Sequence, residues 1–146
     1  MFFKKKFFNK EEEQKIVHAI RAAEKNTSGE LRVHLSPKVK TTILDDGLHY
    51  FKKLKMHKTA QRNGVLIFIA YQTKEFCIIG DEGIHAKVPE NFWDSVKNAM
   101  TEKFIEGNIV EGIAQGLHLS GEQLKAFFPL LSNDKNELND TIFYGE

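Results

Sequence analysis

The chain has a single cysteine, Cys77, in 146 residues, so no disulfide can form within it. One free thiol suits a reducing compartment, and the expectation is a cytoplasmic protein. Cys77 lies in the apolar run Phe76-Cys77-Ile78-Ile79, with no histidine or other base near it in sequence. It reads as a small core residue, not a nucleophile. Long hydrophobic runs are missing too. The longest, Val65 to Tyr71, is seven residues, whereas a membrane-spanning helix needs about 20. No apolar stretch of signal-peptide length follows the lysine-rich start. Net charge is only +1, so no global basic field argues for nucleic acid as a partner.

Several catalytic patterns are also missing. The chain has no Gly-x-x-x-x-Gly-Lys phosphate loop, no Gly-x-Gly-x-x-Gly and no Gly-x-Ser-x-Gly. Its six histidines show no His-x-x-x-His spacing. Asp134-x-Asn136 begins like a calcium loop, but Leu138 takes the next ligand position and the glycine is missing, which excludes an EF-hand.

What remains is the pattern of one α/β domain. Asn9 and Glu12 form a capping-box pair ahead of Ile16, Val17, Ile20 and Ala23 at helical spacing. Leu31, Val33 and Leu35 alternate with Arg32, His34 and Ser36, the period of a strand. Leu44, Leu48, Phe51 and Leu54 mark a second helix, with Asp45 and Asp46 in its first turn. After the turn at Asn63-Gly64, Val65 to Ala70 is apolar on both faces and predicts a central buried strand. Glu75 to Gly80 predicts its hairpin partner. Pro89 suits the first position of a third helix, carried by Phe92, Val96, Met100 and Phe104. Asn108 with Glu111 predicts a capped fourth helix running to Pro129. The reading is a mixed three- to four-stranded central sheet with helices packed on both faces. It has a basic, aromatic extension over 1–8, a domain over 9–131 and an acidic tail over 132–146.

Three constellations carry chemistry. Gly80-Asp81-Glu82-Gly83 follows a strand, where glycines admit a ligand and carboxylates suit calcium or magnesium. Asp45 and Asp46 could add carboxylates, although a turn and a helix start also favour aspartate. Arg62, with Asn63, could clamp a phosphate, pair with those carboxylates, or stand as a solvated charge. Phe2, Phe3, Lys4, Lys5 and Lys6 suit weak contact with a membrane surface, or packing on the domain or a partner.

Taken in order, Thr27-x-Gly29-Glu30-Leu31-Arg32-Val33, Thr59-x-x-Arg62-Asn63-Gly64-Val65-Leu66-Ile67 and Ile79-Gly80-Asp81-x-Gly83-Ile84 resemble the TPM-domain family. So do Phe92-Trp93, Gly112-Ile113 and Phe128-Pro129. The resemblance covers roughly residues 10–140. It implies an α/β sandwich and marks Arg62, Asn63, Asp81 and Glu82 as family positions. Family members include calcium-binding acid phosphatases of the thylakoid lumen and accessory proteins of membrane complexes. Two readings follow. One is a binding module with a divalent cation at the Asp81 loop, docking on a protein partner or membrane complex. The other is a metal-dependent phosphatase.

Overall fold

The structure, a computed structural model, describes residues 7–130 and 142–145. The elements are α1 (Lys10–Glu24), β1 (Glu30–Ser36), α2 (Ile43–Lys53), a 3-10 turn (Met56–Lys58), β2 (Gly64–Ala70), β3 (Glu75–Gly80), α3 (Glu82–His85), α4 (Phe92–Ile105), α5 (Ile109–Phe127) and β4 (Phe143–Tyr144). They build one four-stranded sheet in the order β3-β2-β1-β4. β1 runs parallel to β2 and to β4, and β3 runs antiparallel to β2.

Helices cover both faces, as the sequence pattern implies. Leu31, Val33 and Leu35 of β1 and Val65, Ile67 and Ile69 of β2 face α1, α4 and α5. Ile16, Ile20, Met100, Ile113 and Leu117 complete that core and are fully buried. Each such side chain contributes about 1.5–3 kcal/mol. On the opposite face Leu66, Phe68, Cys77 and Ile79 pack against Tyr50, Phe51 and Met56. This explains why β2 is apolar on both sides. The predicted cap of α1 is present: Asn9 Oδ1 accepts from Glu12 N at 2.8 Å, and Glu12 Oε1 accepts from Asn9 N at 3.0 Å.

Four expectations are corrected. α4 starts at Phe92 rather than Pro89, because Pro89 to Phe92 forms a separate turn. Asn108 precedes α5 but caps nothing with its side chain. Residues 142–145 join the domain: β4 pairs beside His34 and Leu35, Ile142 is buried, and Tyr144 donates to Glu13 Oε2 at 2.9 Å. Finally, Leu44 and Leu48 face outward. Gly47 turns α2 instead, because a Cβ there would press on Cys77 Sγ, so Gly47, Tyr50 and Phe51 meet the sheet.

The polar residues of β1 are not its solvent face. Glu30, Arg32, His34 and Ser36 are each at most 3% exposed. Arg32 pairs with Glu24 at 3.2 Å and with Glu30 at 3.6 Å. His34 stacks on Tyr50 with ring centroids 4.0 Å apart, and Ser36 donates to the Gly145 carbonyl.

Candidate functional site

Because β3 runs back along β2, Gly80 sits beside Val65 at the start of β2. The carboxyl end of β3 therefore lies at the amino ends of β1 and β2. There Asp81 caps α3, accepting from Glu82 N at 2.8 Å. The predicted tight loop is thus the start of a one-turn helix.

Arg62 closes on this cap from the loop before β2. Its Nε donates to Asp81 Oδ2 at 2.8 Å and its Nη2 to Oδ1 at 2.9 Å. Its Nη1 reaches Glu82 Oε1 at 3.2 Å. Two planar forks meeting in this way make a strong, directional pair. The Asp81 bond pushes the arginine pKa further up from its already high value. The Asp81 side chain is 6% exposed and that of Arg62 43%, so one side of the cluster faces water. Arg62 holds a left-handed backbone (φ 53). Its carbonyl accepts from Gly83 N at 2.8 Å, tying the two loops together.

Behind Arg62, Asn63 is 1% exposed. Its Nδ2 donates to Ser28 Oγ at 3.2 Å, and Gln61 Nε2 donates to the same oxygen at 3.2 Å. Asn63 Oδ1 is buried without a hydrogen-bond partner among the described residues. Such an oxygen carries a desolvation cost until a water, cation or ligand meets it. The sequence reading missed Ser28 and Gln61. Ser28 lies inside the Thr27-x-Gly29 motif, which was the available signal.

The structure thus assembles Arg62, Asp81 and Glu82, whereas the Asn63 side chain turns to Ser28. It does not bring Asp45 and Asp46 there. α2 begins beyond Ser36, which pairs with Ala70 at the far end of β2. A seven-residue strand separates the two ends, about 20 Å at the usual rise. Asp46 has a local task, accepting from Lys40 N at 2.6 Å and Thr41 N at 3.1 Å, and Asp45 is exposed. Among the described residues, no group of three or more His, Cys, Asp and Glu side chains is placed to hold a metal ion. Phe2, Phe3, Lys4, Lys5 and Lys6 lie outside the described residues.

Gly83 sets how closely the loops approach. A Cβ there would enter the carbonyl oxygens of both Gln61 and Arg62. Gly83→Ala is expected to cost about 1–3 kcal/mol, the range for overpacking. Urea denaturation measures it, and a change within about 0.5 kcal/mol, the ordinary surface range, would show that the loops part freely.

Comparison with known proteins places this arrangement. The BA42 protein of the psychrophilic bacterium Bizionia argentinensis is similar over 99% of this chain and 100% of its own, with 43% identity and a TM-score of 0.90. The N-terminal domain of a P. gingivalis protein shares the fold at 17% identity, with a TM-score of 0.68 over 82% of this chain and 77% of its own. The N-terminal domain of the cg2496 protein of Corynebacterium glutamicum does so at 9% identity, with a TM-score of 0.63 over 94% and 80%. No curated protein sequence matches. The family model described as the TPM domain matches residues 2–123, and the chain belongs to that family.

Proposed function

We propose that the chain is a binding module whose Asp81 loop takes up calcium or magnesium and which docks on a protein partner. The observation that carries this reading is that two carboxylates, Asp81 and Glu82, share one half-exposed guanidinium. The cluster keeps a net negative charge, and its donors are oxygens, the ligands that hard cations prefer. A cation beside Asp81 would repel Arg62, so binding exchanges guanidinium for metal and frees Arg62 for an anionic group.

The exchange makes a signed prediction. Calcium or magnesium should raise the melting temperature of the wild type, and more so that of Arg62→Gln, where no guanidinium competes. Asp81→Asn should abolish the response. Binding at a hundredfold excess over Kd stabilises by about 2.7 kcal/mol, a shift of about 5–10 °C for a chain of this size. Unchanged melting of both wild type and Arg62→Gln at millimolar cation would overturn the reading.

A hydrolytic reading draws on the same geometry. A freed, solvent-facing Arg62 could stabilise charge on a phosphoryl group while the cation polarises its oxygen. Cation-dependent phosphomonoester hydrolysis that Asp81→Asn removes would move the assignment from binding to catalysis.

A further inference from the structure

The two edges of the sheet are finished differently. On one side β4 contributes only two residues. On the other, β3 runs for six with no strand beyond it among the described residues. Asp81 N donates to Gly64 O at 2.9 Å. By the alternation of an antiparallel ladder, residues 79, 77 and 75 also turn their backbone groups to β2. The N–H and C=O groups of Phe76, Ile78 and Gly80 therefore point away from the sheet. Trp93 closes over Gly80, where a Cβ would strike the indole. Phe76 and Ile78 make no outward hydrogen bond among the described residues. Natural edges are usually guarded by a lysine, a proline or a bulge. The Phe76-Cys77-Ile78-Ile79 run itself contains no lysine, proline or bulge, and its ladder with β2 is unbroken.

Exposed apolar surface lies beside this edge. α2 turns Gly47 to Cys77 and Ile79 of β3, and Tyr50 to His34 and Phe68 of the inner strands. The helical step then places Leu44 and Leu48 on the flank next to β3. They are 53% and 44% exposed. Lys52 continues their ridge, Lys74 precedes the strand, and Lys97 Nζ stands 5.9 Å from the Phe76 ring centre. None of these three lysines makes an ion pair among the described residues. Glu75 is the acid at the start of the strand.

We propose that the β3 edge is a strand-addition site for an extended segment of a partner protein. That segment carries apolar side chains at alternate positions and a net negative charge. Its backbone pairs with Phe76 and Ile78, and its apolar side chains lie against Leu44 and Leu48. Main-chain bonds supply affinity in this mode, and side-chain contacts select the sequence. The site is separate from the Arg62–Asp81 cluster, and its test does not depend on the cation.

The probe is a capped hexapeptide of alternating valine and glutamate, titrated into the full chain and followed by amide NMR and hydrogen exchange. Exchange at Phe76 and Ile78 should slow by about tenfold or more at saturation, as expected for newly bonded amides. The double variant Leu44→Glu, Leu48→Glu changes exposed positions and should fold with an unaltered far-UV spectrum. It should bind the peptide about tenfold more weakly, as should wild type with a valine–lysine peptide. Unchanged Phe76 and Ile78 amides at millimolar peptide would overturn the proposal. Equal binding of the lysine peptide would do the same, as would sedimentation showing a second copy already closing the edge.

Discussion

Arg32→Ala is expected to lower the free energy of unfolding by about 3–5 kcal/mol, the cost of breaking a buried ion pair from one side. Arg32 is 1% exposed, and its partners Glu24 and Glu30 are 10% and 2% exposed at the side chain. Removing the guanidinium leaves Glu30 charged in a place water does not reach. Arg32→Met separates charge from packing. It restores most of the lost volume, yet it should remain nearly as unstable, because Glu24 and Glu30 keep their charges without the guanidinium. Adding Glu30→Leu to Arg32→Met should recover part of the loss, since apolar replacement of buried charges is often neutral and Glu24 keeps its bond from Leu31 N. Urea denaturation of the three variants decides it. Near-wild-type stability of Arg32→Met would mean that the arginine serves by its bulk alone.

The second large effect is an acid one. His34 is 3% exposed between Tyr50 and Phe68, and neither ring nitrogen makes a full hydrogen bond among the described residues. Burial lowers its pKa from 6.5 to about 4; the Gly145 backbone pulls upward and the charge of Lys53 downward. The unfolded chain thus binds a proton near pH 6.5 that the folded chain refuses until about pH 4. Between these values the unfolded state holds more protons, so stability falls as pH falls. Above pH 6.5 the contribution is fully present. Across the window the loss is on the order of 3 kcal/mol. His34→Phe should flatten this part of the pH dependence, measured by denaturation at pH 7.5, 5.5 and 4. An imidazole NMR titration near pH 6.5 in the folded protein would defeat this account.

How far the sequence carried depends on which forces decide each element. The α1 cap, the two-sided apolar run of β2 and the β2–β3 hairpin rest on local pattern, and they stand in the structure as read. The orientation of α2 does not rest on its own periodicity. Leu44 and Leu48 make the better apolar stripe, but Gly47 gives the closer approach to Cys77, and tertiary contact wins over pattern. The polar half of β1 is buried by tertiary partners too: Arg32 by Glu24 and Glu30, His34 by Tyr50 and Ser36 by Gly145. β4 is too short to have a period and forms only because β1 offers it an edge. At the candidate site, pairing of Arg62 with the carboxylates was one of the alternatives legible from residue types. The separation of Asp45 and Asp46 from Asp81 was not legible, because it follows from the antiparallel sense of β3, which reverses the end of the sheet where that strand finishes.

The unequal edges of the sheet also bear on stoichiometry. A strand added at β3 has a six-residue partner, whereas β4, with two residues, offers too short a ladder to hold another. Among the described residues, one edge is therefore long enough for strand pairing. Such an edge takes one partner strand, and growth head to tail would need a second competent edge on each unit. With one competent edge among the described residues, strand addition ends in a discrete complex instead of a fibre.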